Sequence, residues 1–394
     1  MKQQHIVIVG MARTPIGSFQ GSLSTLSAAE LGALAIRGAV ERVAIPTFDV
    51  EDVIMGCVLP AGQGQAPARQ AALKAGLPLS TSATTINKMC GSGMKAVMLA
   101  HDMLLANSAN IIVAGGMESM TNTPYLLPKV RSGLRLGHSE VKDHMFLDGL
   151  EDAYDKGELM GVFAELCAER YHFTRAMQDE FAVTSLTRAQ QAIHDGHFQQ
   201  EIVPVSVSTR QGNHIVDTDE QPLKANLEKI TTLKPAFKKE GTVTPANASS
   251  ISDGAASLVM MSEGEAERRG IIPLARIIGH TTHAQEPSWF TTAPIGAIKK
   301  LLTRTQWSIH DVDLFEINEA FAVVTMAAMK ELALPHSKVN VHGGACALGH
   351  PVGASGARVL VTLLSALKQH GGQRGIASLC IGGGEAVAVA VELI

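Results

Sequence analysis

The sequence predicts an α/β protein built from two like halves, with an insertion in the first, and three observations carry that prediction. Runs rich in Ile and Val alternate with longer helical patterns, which is how strand–helix units of a parallel sheet read. His5 to Gly10 (HIVIVG) reads as a strand, Ala28 to Val43 as an amphipathic helix, Val53 to Val58 as a strand and Ser92 to Ala106 as a helix. Ile111 to Ala114 is a buried strand closed by Gly115 and Gly116. The series then repeats: Leu274 to Gly279 resembles the opening strand, Asp311 to Ile317 resembles Val50 to Gly56, and Ser378 to Glu385 resembles Ile112 to Glu118. All three matches fall at nearly one offset, about 260–270 residues, which duplication explains better than chance.

The third observation is the stretch between the repeats. It gathers charge clusters at Lys129 to Arg135, Gln178 to Glu180 and Lys238 to Glu240, with helical patterns around Leu159 to Tyr171 and Gln178 to His194. It is either a solvated helical insertion or a lid for an extended anionic ligand. The expected division is residues 1–120 as the first half, 121–249 as the insertion, 250–270 as a return to the first half and 271–394 as the second half.

Composition narrows the function classes. A chain of 394 residues exceeds the roughly 250–300 that one core serves. The formal charge of −4 provides no basic field for nucleic acid or an anionic membrane. No uncharged apolar run reaches the ~18 residues of a membrane span; Ala320 to Met329 stops at Lys330. The N-terminal run lacks the regions of a signal peptide. Five cysteines without a CxxC pair fit neither a disulfide framework nor a zinc ribbon, so a reduced, cytoplasmic setting is expected.

Chemistry concentrates at a few strand ends and glycine-rich turns. Cys90 stands in Asn87-Lys-Met-Cys-Gly-Ser-Gly, ahead of a helix. A thiol there meets free N–H groups and the positive end of the helix dipole, which lowers its pKa; the alternative is an inert packed thiol. His350 stands in the loop Gly343 to Arg358, at the repeat offset from Cys90. Equivalent loops of a duplicated fold meet at its pseudo-dyad, so His350 is a candidate base for Cys90 or else a turn histidine. Cys380 ends an apolar strand before Ile381-Gly-Gly-Gly-Glu, as a second reactive group or as strand filler. Asn318, in Asn318-Glu-Ala-Phe-Ala, holds a water or a histidine, or caps a helix. No GxGxxG, Walker or HExxH motif is present, so nicotinamide, nucleoside triphosphate and zinc-protease chemistry lack support.

These motifs, with Arg13-Thr-Pro-Ile-Gly, Gly115-Gly-Met-Glu-Ser-Met, Asn247-Ala-Ser-Ser-Ile-Ser-Asp-Gly-Ala and Gly349-His-Pro-Val-Gly-Ala-Ser-Gly, resemble the thiolase family and, within it, the acetyl-CoA acetyltransferases. The resemblance implies a duplicated five-layer αβαβα fold whose helical loop domain covers coenzyme A. It implies that Cys90 is acylated, that His350 activates it and that Cys380 is the acid/base at the substrate's α-carbon. Asn318, through a water, and His350 would form one oxyanion site, and the N–H groups of Cys90 and Gly382 the other. Met160, Phe237, Ser249, Ala320, Phe321, Leu150 and Ala246 match positions along the pantetheine channel or acyl pocket. Lys224 and the Lys129 to Arg135 loop are the candidates for the CoA phosphates. The family carries no permanent cofactor or metal; acetyl-CoA, acetoacetyl-CoA and CoA are its substrates, and its members are usually homotetramers, dimers of tight dimers. Leu159 replaces the His of a common His-Met-Gly and Phe290 a frequent Met, so a C4 preference with tolerance of short or 2-methyl-branched chains is expected. The alternatives are a β-ketoacyl synthase, which would need His or Asn at 380, a cysteine hydrolase using Cys90, His350 and Asn318, and a non-catalytic scaffold.

Overall fold

In the computed structural model, which describes residues 4–209 and 212–394, the duplication is visible in the strand order of one sheet. That order runs Leu314–Ile317, Arg374–Ile381, Glu385–Leu393, Ala275–Ala284, then Ile6–Arg13, Ser252–Ser262, Ile111–Ser119, Asp52–Gly56 and Ser82–Ile86, with Gly17–Ser18 paired beside Ser252–Ser262. The seam between Ile6–Arg13 and Ala275–Ala284 separates the halves, and equivalent strands lie at equal distances on either side of it.

The sheet is mixed, not parallel as the sequence suggested. Parallel pairing joins Asp52–Gly56 to Ser82–Ile86 and to Ile111–Ser119, and Leu314–Ile317 to Arg374–Ile381. The other pairs are antiparallel. The expectation failed because it left out Ser252–Ser262 and Glu385–Leu393, which turn back beside their neighbours instead of crossing over a helix. In the second half that return takes three glycines, Gly382 to Gly384. In the first half the same junction, between Ile111–Ser119 and Ser252–Ser262, is where the insertion enters.

Period-two alternation then builds five layers. Val7, Val9, Ile111 and Val113 face helices Ala28–Val43 and Pro67–Lys74, while Ile6, Ile8, Ile112 and Ala114 face helices Ser92–Leu105 and Val352–His370. From the second half, Leu379, Val387 and Val389 cover that same helix pair, and Ile376, Cys380 and Ala388 face helices Ala293–Thr305 and Ala322–Leu332. The two inner helices therefore form the middle layer, and Val352–His370 is buried from Val352 through Leu367. They touch backbone to backbone at their first turns: a Cβ on Gly93 would lie 2.7 Å from the Ala357 nitrogen, and one on Gly356 would lie 2.3 Å from the Met94 nitrogen. Only glycine permits that approach.

Residues 121–249 give no strand to this sheet among the described residues; they form helices Met160–Tyr171 and Arg175–His194 and two small hairpins. A buried ion cluster fastens them. Arg13, fully buried, pairs with Glu201 at 2.6 Å and Asp219 at 2.8 Å and lies over the Phe198 ring. Arg13→Ala strands two buried carboxylates, so chemical denaturation should show a loss of about 3–5 kcal/mol. A loss below about 1 kcal/mol, the value of an exposed pair, would mean that the cluster is not a fastening.

No helix among the described residues is long and apolar enough to cross a membrane.

Candidate active site

The backbone contact between the inner helices brings Cys90 and His350 to one place, because each residue stands just ahead of one of those helices. Cys90 is held by a tight turn. The Ser92 hydroxyl accepts from the Lys88 N–H at 2.8 Å and donates to the Met89 carbonyl at 2.7 Å, while Asn87 Oδ1 accepts from the Met89 N–H at 2.9 Å. The N–H of Gly382, from the three-glycine turn, and the N–H of Cys90 itself are directed at the Cys90 sulfur.

His350 is oriented by a hydroxyl with a single proton. Ser355 Oγ donates to the Pro351 carbonyl at 3.0 Å, so its 2.6 Å contact with His350 Nδ1 is an N–H donated by the ring. That tautomer leaves a lone pair on Nε2, which is buried and has no partner among the described residues. Burial, and then the charge of Arg358, push the imidazole pKa down to about 3, so the ring is neutral.

Asn318 is oriented by the same arginine. Arg358, 2% exposed, donates from Nη2 to Asn318 Oδ1 at 3.3 Å and pairs with Glu316 at 3.5 Å. With the oxygen taken, the amide nitrogen of Asn318 is left buried and unpartnered among the described residues. Cys380 is fully buried. Burial first, and then the charge of Cys90, raise its pKa well above the ordinary thiol range, and that second influence places the two sulfurs in one field.

The Cys90 thiol corrects one expectation. Burial pushes it up to about 11, and the N–H groups of Gly382 and Cys90 only partly oppose that. The helix dipole does not deliver a resting thiolate, so the proton needs a base. Burial raises the thiol and lowers the imidazole for one reason: either charge alone is unfavourable there. Created together and close to one another, the two charges would stabilise each other.

Two thiols, an unbound imidazole lone pair, a free amide N–H and two backbone donors are the kinds of group that acyl transfer followed by proton abstraction requires. The family description "Thiolase, N-terminal domain" matches residues 6–264, and "Thiolase, C-terminal domain" matches residues 271–393. This chain belongs to the thiolase family. It is similar to the acetyl-CoA acetyltransferase of Cupriavidus necator, 50% identical over 98% of this chain and 99% of the relative, and to acetyl-CoA acetyltransferase 2 of Arabidopsis thaliana, 51% identical over 99% and 97%. The crystal structure of the Bacillus anthracis acetyl-CoA acetyltransferase superposes with a TM-score of 0.96 at 42% identity, covering 99% of each chain.

In this thiolase the remaining expected residues fall into three places. Ala320, Phe321, Met160 and Phe237 pack in the apolar cluster that includes Cys380, where the Phe237 and Phe321 rings meet edge to face at 5.9 Å. Ser249 belongs with them, its hydroxyl donating to the Ala320 carbonyl at 3.0 Å. Leu150 packs with Cys90 on a small cluster of Val58, Leu59, Met120, Met145 and Val352. Ala246 lines a cleft of about 230 Å³ with Asn226, Lys229, Ile230, Pro245 and Cys346. Lys224 is not among the residues lining that cleft; it is exposed and ion-paired with Glu220. The Lys129 to Arg135 loop is exposed. The cation on the cleft is Lys229, which sequence reading passed over because a lone lysine in a polar segment carries no pattern.

Glu118 was also missed, although its motif was recognised. Its buried carboxylate accepts N–H groups from Val58 at 2.9 Å, Leu59 at 3.1 Å and Gly353 at 2.9 Å, which pins the start of the His350 helix to the first half. Burial raises its pKa to about 7 against those donors. Cys346, whose role the sequence left open, sits beside Glu319: its N–H donates to that carboxylate at 3.1 Å, and its thiol reaches the Glu319 carbonyl at 3.7 Å. Glu319 also binds Ser185 and Asn340, so it ties the His350 loop to the insertion. The signal for both glutamates was an acid inside an apolar or glycine-rich strand end.

Proposed function

We propose that this thiolase is an acetyl-CoA acetyltransferase that joins two acetyl-CoA into acetoacetyl-CoA and CoA, reversibly and by a ping-pong route through acetyl-Cys90. The unpartnered Nε2 of His350 and the high-pKa Cys90, which precede the two touching inner helices, carry the reading, because the first is the kind of base that the second needs. In the first half-reaction Nε2 takes the Cys90 proton, and the sulfur attacks the acetyl carbonyl. The oxygen that becomes negative is received by the N–H groups of Cys90 and Gly382, and the departing CoA thiolate takes the proton back from His350. In the second, the imidazole, neutral again, takes the Cys380 proton, and the thiolate so formed removes an α-proton from another acetyl-CoA. The resulting enolate oxygen lies against His350 and a water held by Asn318, and the carbanion attacks acetyl-Cys90. Collapse of that adduct frees acetoacetyl-CoA and the Cys90 thiolate, which takes the proton held by His350, and thiolysis is the same path reversed.

The acyl pocket is assigned to the aromatic cluster at Cys380. Phe290, 3% exposed, meets Phe163 edge to face at 6.4 Å there, an apolar aromatic lining that we assign to short acyl groups, C4 above longer ones. CoA is assigned to the insertion side, along Met160, Phe237, Ser249 and the cleft at Ala246, with Lys229 added as a phosphate cation. Every step uses groups of the chain, so CoA thioesters enter as substrates and no resident cofactor is required. We assign the protein to a reducing, cytoplasmic setting because two working thiols must stay reduced. A homotetramer accords with the exposed apolar side chains Leu127, Val130, Leu134 and Leu136 and with the edge strand Ser82–Ile86.

The test is mass spectrometry of the intact protein and its peptides after incubation with acetyl-CoA. One acetyl group on the Cys90 peptide, release of CoA, and thiolysis of acetoacetyl-CoA with a higher kcat/KM than a long-chain 3-ketoacyl-CoA are expected. No adduct and no thiolysis would overturn the proposal, and acetate released to water without condensation would favour the hydrolase.

A further inference from the structure

A second cluster of chemistry-bearing side chains lies outside the active site, across the junction of the two halves. His101 and Asp102 are neighbours on helix Ser92–Leu105 of the first half, and His280 lies on strand Ala275–Ala284 of the second. His101 Nδ1 lies 3.1 Å, and His280 Nε2 2.9 Å, from the same oxygen, Asp102 Oδ1. The rings stand nearly perpendicular, at 88°, with centroids 5.0 Å apart. One ligand atom from each residue lies within 4.8 Å of the others.

We propose that His101, Asp102 and His280 form a binding site for a divalent transition metal of the zinc class, completed by water, that fastens the first half to the second. Two imidazole nitrogens and a carboxylate oxygen are a donor set that borderline ions prefer. Bonds of about 2.0–2.2 Å at tetrahedral angles put neighbouring ligand atoms roughly 3.3 Å apart, so two of the three separations are already close to the required ones. The imidazoles are largely shielded while the carboxylate is 55% exposed, which gives the ion a way in from solvent. Asp102 Oδ2 has no partner among the described residues. The charge of Lys95, near His280, opposes the ion, which sets the site below a closed structural zinc site in affinity.

The experiment is titration of the full-length protein with Co²⁺ followed by absorption, then competition with Zn²⁺. One equivalent should bind with a weak ligand-field spectrum and no intense thiolate-to-cobalt band, which separates this site from the cysteines of the active site. His101→Ala with His280→Ala should abolish that equivalent, and Asp102→Asn should weaken it at least tenfold. The double variant should keep the native rate of acetoacetyl-CoA thiolysis, which shows that it is folded. Zn²⁺ should raise the native thermal midpoint and leave that of the double variant unchanged. No binding up to millimolar Co²⁺, or the same equivalent and spectrum in the double variant, would overturn the proposal.

Discussion

Cys380→Ser leaves acetyl-Cys90 forming at close to the native rate and abolishes condensation, by at least about 10³-fold. The substitution keeps the shape of a fully buried side chain while replacing a thiol by a hydroxyl too weakly acidic to carry the α-proton. What Cys90 needs for acylation is untouched: the Gly382 and Cys90 N–H groups, and the His350 lone pair held by Ser355. Burst release of CoA from acetyl-CoA, followed by measurement of acetoacetyl-CoA, separates the two half-reactions. A loss of acylation as large as that of Cys90→Ala would mean that the roles of the two thiols are wrongly divided.

His350→Ala should slow acylation by about 10³–10⁴-fold near pH 7.5 and change the shape of the pH profile. Without a base, the reaction draws on the equilibrium thiolate of a thiol pushed up to about 11, which is on the order of one molecule in 10³–10⁴ at that pH. The variant's acylation rate should then climb about tenfold per pH unit from 7 toward 10, because each unit ionises ten times more thiol. The native enzyme should show no such climb, since its imidazole is already neutral across that range. A variant profile as flat as the native one would mean that another group takes the Cys90 proton.

Much of the fold was readable because duplication gives one sequence two chances to show its pattern. Ile6–Arg13 and Ala275–Ala284, or Ile111–Ser119 and Arg374–Ile381, each support the other's assignment. Ser252–Ser262 and Glu385–Leu393 escaped notice. The first meets its sheet partner across the whole insertion, Asp253 opposite Ser119, and strand pairing at such distance leaves no local signal; the second is an Ala-Val alternation that reads equally as helix. The expectation of a parallel sheet followed from that omission. Cys90, His350, Cys380 and Asn318 were legible as candidates because each stands at a strand end or beside glycines. What holds them was not. Ser355, Arg358, Glu118 and Glu319 act through contacts made by folding, and Arg358 looks like one basic residue on a helix until the structure shows it 2% exposed against Asn318. The resting ionisation of Cys90 was misjudged for a related reason: a helix start is visible in sequence, whereas the depth at which it is buried is not.

The glycine contact between the inner helices has a consequence for how such chemistry can arise. A pair of identical chains meeting about a dyad would present the same residue twice at that crossing, two thiols or two imidazoles. A single chain holding both copies is released from that identity. It can set a nucleophile before one helix and its base before the other, at a separation fixed by Gly93 against Ala357 and Gly356 against Met94. Neither half then holds both residues, and expressing 6–264 or 271–393 alone divides Cys90 from the base proposed for it.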